Sequence, residues 1–268
     1  ICGLNIKYYM EIKAPTFSRL DQNQFFRTLN KRVNDYFKEN NLKKTGNWKL
    51  HLKTIIMFTL LFAPFIAIFF IPVSIWIYLL ASVVIGIGMA GVGMNVMHDG
   101  NHGSYSTKNW LNKIMGGSIY ILAGNVYNWQ VQHNVLHHTY TNIPGHDEDL
   151  DAGRVIRFTK EAKWYSFHKF QHYYSIFLYG LLTINWCLTT DFKQMGAYLK
   201  RKLSYGNTPN PKTLWTGLVI SKIVYFGFWI VLPLIFGTAS WWVILLGFFI
   251  MHYTAGLILS VVFQLAHI

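Results

Sequence analysis

The chain has 268 residues, of which 52% are hydrophobic and only 13% are charged, with a formal net charge of +13. Soluble domains carry about a quarter charged residues, so the composition argues against a soluble globular protein. The basic residues flank apolar segments and form no single stripe, which disfavours nucleic acid as a partner and is typical of cytoplasmic membrane loops. Two cysteines, Cys2 and Cys187, provide neither a disulfide framework nor a CxxC motif.

The first fifty residues are polar apart from one amphipathic stretch. Apolar residues recur there at helical spacing, with basic residues between them. The pattern predicts a helix that packs on the cytoplasmic face of the protein or on the lipid surface. The apolar positions are Phe25, Phe26, Leu29, Val33, Tyr36 and Phe37, and the basic positions are Arg27, Lys31, Arg32 and Lys38.

Residues 55–95 form an almost wholly apolar run. As a single helix this run would be about 60 Å long, twice the thickness of a bilayer core. We therefore expect two crossings, with the reversal at residues 71–74, where Pro72 cannot continue a helix. A second apolar hairpin is predicted within residues 214–267, with its turn at residues 237–240.

Basic residues predict the orientation of these hairpins. Eleven Lys and Arg lie in residues 1–54 and twelve in residues 96–213, whereas neither hairpin turn has one. The basic segments are expected in the cytoplasm. The remaining basic residue, Lys222, lies inside the third crossing and is expected to snorkel to the interface. Residues 173–190 are apolar, but a fifth crossing would put the basic residues that follow outside, so an interfacial or re-entrant helix is predicted.

Histidines cluster where apolar chain gives way to polar chain. His98 and His102 are four residues apart at the end of the second predicted crossing, and His133 and His137 repeat that spacing. On a helix, such pairs share one face. His138 lies farther round the second helix and is expected to reach toward an adjacent metal. Neutral imidazole binds iron, zinc and copper, so all five are predicted metal ligands.

A sixth histidine, His267, ends the last predicted crossing and is expected to join the others on one membrane face. Six imidazoles are too many for one tetrahedral zinc, so two metal ions are the better interpretation. Asp99, Asn101 and Asn134 lie inside the two motifs, where they are expected to orient ligand imidazoles through the second ring nitrogen.

Two aromatic residues, Trp129 and Tyr140, flank the second motif and are expected to line the path of an apolar substrate, with ordinary aromatic packing as the alternative. The acidic residues within 147–151 are expected to be solvated or to bond to ligand histidines. The other histidines are expected to have polar or packing roles; these are His51, His146, His168, His172 and His252.

The motifs HDGNHGSYS and WQVQHNVLHHTYTN, with the four-crossing layout, resemble the membrane fatty-acid desaturase family from about residue 50 onward. They are most similar to the acyl-lipid and front-end type, which is linoleoyl-CoA desaturase-like. The resemblance implies a di-iron centre that uses O2 and two electrons to introduce a cis double bond into a fatty acyl chain. That chain would be linked to CoA, acyl carrier protein or a lipid. No HPGG haem signature is present, so a separate donor is implied, such as ferredoxin or cytochrome b5 with its reductase.

These patterns together predict one all-α membrane domain over residues 1–268. Four transmembrane helices form two hairpins, and a cytoplasmic helical cap over residues 96–213 holds the histidine-ligated di-metal site. The resemblance places a further motif, His or Gln followed two residues later by a His pair, beyond the fourth crossing. The chain is therefore expected to be C-terminally truncated at Ile268, with its metal site incomplete.

Three alternative functions stay open on the sequence. Di-iron hydroxylases and ketolases have similar motifs. HDGNH also resembles the HExxH helix of zinc metalloproteases, with LDAG at residues 150–153 as a loose third-ligand motif, although HNVLHH would then have no role. A histidine-rich electron carrier or a non-catalytic fragment is the alternative outside enzymes.

Overall fold

Four long apolar helices dominate the computed structural model, which describes residue 15 and residues 24–266. Each is at least 23 residues long, enough to cross a bilayer core of about 30 Å. No β-strand occurs among the described residues. In chain order the main helices are α1 (Phe25–Glu39), α2 (Trp48–Phe70), α3 (Ile75–Asn101), α4 (Asn109–Gly117), α5 (126–140), α6 (Gln171–Tyr179), α7 (182–200), α8 (Pro211–Phe236) and α9 (Trp241–Ala266).

The two predicted hairpins are confirmed, with both turns at the predicted places. Ile71 ends α2 in an extended conformation, as expected before Pro72. The Ser74 side chain then accepts a hydrogen bond from the Ile77 N–H at 3.4 Å, which caps the start of α3. The second reversal, at residues 237–240, separates α8 from α9. The chain is therefore a membrane protein built on four long helices.

Helix α3 lies between α2 and α9 and approaches both closely. A Cβ atom on Gly86 would lie 2.5 Å from the Met251 carbonyl oxygen of α9, and one on Gly88 would lie 2.5 Å from the Leu61 nitrogen of α2. Small residues allow such backbone contact between membrane helices. The first histidine motif ends α3, so this packing also fixes its position.

We expect Gly88→Leu to disrupt the first hairpin, because the added side chain must displace the α2 backbone. Overpacking of this kind lowers stability by about 1–3 kcal/mol or more. Thermal unfolding of the detergent-purified protein, followed by size-exclusion chromatography, measures the effect. Gly217→Leu is the matched control, since a Cβ there meets nothing within 4 Å. Equal melting temperatures for the two variants would contradict the packing described for α3.

The segment predicted at residues 173–190 is broken into α6 and the first part of α7, with Gly180 between them. Thr183 is fully buried, and its hydroxyl donates to the His252 carbonyl oxygen at 2.8 Å. His252 lies near the middle of α9. The segment therefore enters the helix bundle, which favours the re-entrant interpretation over the interfacial one.

Two further sequence expectations concern Lys222 and the N-terminal helix. Lys222 does not snorkel, and that prediction is wrong: its Nζ pairs with the buried Asp191 carboxylate at 2.7 Å. The attraction between the Lys222 ammonium group and the buried Asp191 carboxylate is stronger than the tendency of the ammonium group to reach the membrane interface.

The amphipathic N-terminal helix is confirmed as α1, in which no residue is buried. The surface against which α1 packs remains a prediction.

Candidate metal centre

Both histidine motifs contain or follow π-helical turns. Gly93–Met97 are π-helical and lead into the first motif, and Gln130–His137 of α5 are π-helical. π-Helical turns are rare in proteins overall, and those that occur often lie at functional sites. Because they bond residue i to i+5, His133 lines up with His138, and their Nε2 atoms lie 3.2 Å apart. The sequence predicted a regular α-helix that aligns His133 with His137. That prediction is wrong in detail, because the π-helical segment aligns His133 with His138.

The five histidines of the two motifs form one cluster. The rings of His98 and His102 are 4.4 Å apart between centroids, and each lies 5.1 Å from the ring of His133. His138 approaches His133 at 4.7 Å and His102 at 5.0 Å. The His137 ring stacks on His133 at 5.3 Å. The fold therefore brings together two motifs that are about thirty residues apart in sequence.

Three nitrogen atoms of this cluster fit a shared ion. Ligand atoms of His98, His102 and His133 all lie within 4.8 Å of one another. Nitrogens that share one ion lie about 4 Å or less apart, since each metal–nitrogen bond is about 2.1 Å long. The three side chains are therefore close enough to share one ion after rotation about their side-chain bonds. The donor set is imidazole, which suits iron, zinc or copper and is a poor match for magnesium or calcium.

The protonation states of the cluster favour metal binding. Burial and the neighbouring His98 and His138 lower the pKa of His102 to about 4. Burial and the surrounding imidazoles lower the pKa of His133 to about 2. Both side chains are therefore neutral at pH 7, with lone pairs available to a metal. The hydrogen bond to Asp147 instead raises the pKa of His137.

Asp147 orients His137. Both side chains are 1% exposed, and the two carboxylate oxygens of Asp147 each lie 3.0 Å from His137 Nδ1. Backbone N–H groups of Asn142 and Asp149 hold the carboxylate in place. An Asp149 oxygen also lies 3.2 Å from Nδ1. At these distances Nδ1–H donates to the carboxylates, so Nε2 is the nitrogen that can bind a metal.

Of the three residues expected to orient imidazoles, Asp99 contacts one, whereas the two asparagines bond elsewhere. An Asp99 oxygen lies 3.5 Å from His98 Nδ1, a long contact. The Asn101 amide donates to the Gly116 carbonyl oxygen and accepts from Gln130, and Asn134 donates to the Asn101 backbone. The two asparagines therefore join the motifs to each other and to α4. The contact between Asp147 and His137 agrees with the histidine-bonding alternative predicted for the acidic residues 147–151.

A cavity of about 340 Å³ adjoins the cluster. His98, His133 and His137 lie in its wall, and so does Trp129, which stacks on His133 at 4.5 Å between centroids. Tyr140 packs against His146 and is not among the described residues that line this cavity, which favours the aromatic-packing alternative for this residue. Apolar lining residues include Met94, Met97, Ile156, Phe158, Leu178, Leu182, Trp186 and Phe263.

The other described histidines lie outside the cluster. His252 is fully buried and bonds to the Tyr225 hydroxyl at 2.7 Å, as expected of a buried polar contact. His168 bonds to the Arg154 carbonyl oxygen, and His51 contacts Tyr105. His146 packs against Tyr140, and His172 against Tyr173. His267 falls outside the described residues, and the motif expected after Ile268 stays a prediction.

The sequence model of the family described as fatty acid desaturase matches residues 73–268. This stretch contains both histidine motifs and three of the four long helices. The chain belongs to the fatty acid desaturase family. Membership in this family decides against the zinc metalloprotease interpretation of the first motif.

Among desaturase relatives, the chain is 32% identical to the sn-1 linoleoyl-lipid 6-desaturase of Arthrospira platensis, over 91% of this chain and 66% of the relative. It is also 32% identical to the protein of the same name from Synechocystis, over 91% and 67%. Identity to the acyl-lipid (8-3)-desaturase of Physcomitrium patens is 29%, over 94% and 52%. The chain thus spans about half to two thirds of these relatives. No solved structure matches it.

Proposed function

We propose that this desaturase-family protein introduces a double bond into a fatty acyl chain, at a pair of iron ions held by its histidine motifs. The observation that carries the proposal is the clustering of five imidazoles beside a partly apolar cavity. The three relatives described above are named as lipid-linked acyl desaturases, and their names favour a lipid-linked acyl substrate over one bound to CoA or acyl carrier protein.

The chain's own residues would hold and orient the metal. His98, His102 and His133 would hold one ion, since their ligand atoms lie within 4.8 Å of one another. His137 would extend the set toward a second ion, because it forms a similar group with His133 and Asp149, and His138 lies beside His133. Bound iron would supply the redox chemistry with O2 that breaks unactivated C–H bonds. In balance, –CH2–CH2– with O2, two electrons and two protons gives –CH=CH– and two waters.

The cavity would hold the acyl chain next to the cluster. Its apolar residues exclude water from the methylene groups, and Trp129 supports His133 from one side. The two electrons require a donor, for which we propose a ferredoxin or cytochrome b5. His138 is exposed, so the cluster reaches the surface where such a donor can dock.

The test is expression of the full reading frame in a host that lacks the product, with fatty acids analysed by gas chromatography and mass spectrometry. Metal analysis of the purified protein accompanies it. We expect a new unsaturated acid and about two irons per chain. A hydroxy or keto acid would instead support the related hydroxylase or ketolase. Zinc alone, without a modified lipid, would refute the proposal.

We also propose that the histidine cluster faces the cytoplasm, because the basic residues lie on that side of both hairpins. Cysteine labelling of intact cells, in a background without Cys2 and Cys187, measures the sidedness. We expect an impermeant reagent to label Ser240→Cys, in the turn before α9, and to spare Lys202→Cys. Both positions are exposed, so the two labels are directly comparable. The reverse pattern would refute this orientation.

A further inference from the structure

Lys222 carries a charge into the interior of the helix bundle. It is 5% exposed, and its ion-pair partner Asp191 is fully buried. Its Nζ also donates to the carbonyl oxygens of Ala123 and Trp186. Ionisable residues inside a membrane protein are unfavourable unless paired, and they commonly mark functional elements. The histidine cluster does not include either member of this pair.

Asn128 connects the ion pair to the second histidine motif. Its Nδ2 donates to the Asp191 backbone oxygen at 2.8 Å and to the Asp191 side chain at 3.1 Å. Asn128 is 1% exposed, and its own Oδ1 is buried without a hydrogen-bond partner. A buried acceptor left without a partner is unfavourable. Both of its donated bonds go to one residue of α7, Asp191.

The position of Asn128 on α5 indicates what this connection does. It lies five residues before His133, in the α-helical turn that precedes the π-helical segment. The rotation of α5 about its axis decides where its three histidines point. Apolar neighbours such as Val131 hold the helix against the core, but nonpolar contacts are not directional. The two hydrogen bonds from Asn128 to Asp191 are directional. Lys222 adds a further fixed contact, because its Nζ donates to the carbonyl oxygen of Ala123, three residues before α5 begins.

We propose that Asn128, backed by the Asp191–Lys222 ion pair, is a positioning residue that sets the rotation of α5 and thereby aims its histidines at the metal. This inference rests on the proposed metal-dependent function. It assigns no contact between these three residues and the substrate. The ion pair acts through Asn128, and Asn128 acts through the helix that carries His133.

The test compares Asn128→Leu with Thr183→Val in the full-length protein. Both remove buried hydrogen bonds, but Thr183 bonds to α9 and not to α5. Metal affinity is measured by competition with a chelator, and hydrogen exchange is measured by mass spectrometry over residues 126–140. For Asn128→Leu we expect metal affinity to fall about tenfold or more, as for other residues that orient ligands, with faster exchange in α5. Thr183→Val should match the wild type in both.

Wild-type metal affinity and exchange in Asn128→Leu would overturn the proposal, as would equal losses in both variants. If the wild-type protein binds no metal, the proposed function fails, while the exchange of α5 still decides the positioning role. If Asn128→Leu does not accumulate, the double variant Lys222→Met with Asp191→Leu replaces it, since removal of both charges leaves none unpaired. Unchanged metal affinity in that variant would also overturn the proposal.

Discussion

His133→Ala is expected to remove bound metal and to abolish double-bond formation, with the protein still inserted and folded. His133 has the central place in the cluster, because its ring lies within 5.3 Å of four other imidazole rings. Loss of this side chain therefore affects both candidate ion positions. Iron content by mass spectrometry and the fatty-acid profile of the expressing host measure the two effects.

The matched control for this prediction is His252→Ala. That histidine is also buried, and it bonds to Tyr225 and Thr183 away from the cluster. We expect it to lower the melting temperature and to leave the iron content per folded chain unchanged. Wild-type iron content in His133→Ala, or iron loss in both variants, would contradict the ligand role of His133.

Met94→Trp is expected to block desaturation without loss of metal. Met94 lines the cavity and lies four residues before His98 on α3, so a tryptophan there fills space beside the cluster. Small-to-large changes next to a binding cavity remove room for the ligand while they leave the metal ligands in place. Product analysis together with iron content separates the two effects.

Leu80→Trp is the control on the same helix, since Leu80 is 64% exposed on the outer face of α3. It should leave product and metal unchanged. Met94→Ala enlarges the cavity and should retain activity. Normal product from Met94→Trp would show that the acyl chain does not occupy this cavity.

The hairpins were predictable because their signals are local. A long apolar run, a proline at residue 72 and the absence of basic residues in both turns are read directly from the sequence. The histidine motifs were predictable for a similar reason, since a spacing of four places two side chains on one face. Convergence of the motifs followed once the topology put both on one side of the membrane.

Other features depend on contacts between distant parts of the chain, and these were missed. In the π-helical turn of α5, each N–H bonds to the carbonyl oxygen five residues earlier, whereas in an α-helix it bonds to the one four residues earlier. The spacing of the histidines does not show which of these two patterns forms. Lys222 finds its partner Asp191 thirty-one residues earlier in sequence. The snorkelling prediction considered only the helix that carries Lys222. Asn101 and Asn134 similarly bond to neighbours that only the folded chain brings near.

The π-helical segment makes the second motif intolerant of changes in length. Deletion of one residue within Gln130–His137 would let the segment relax into an α-helix, with His133 facing a different neighbour. Each residue of a helix adds about 100° of rotation, so the residues after the deletion would face a different direction. The contact between His137 and the acidic loop that contains Asp147 would then change. Substitutions in the segment change single contacts, whereas a single insertion or deletion changes the register of the whole centre. Natural variation here is therefore expected to conserve residue number more strictly than residue type.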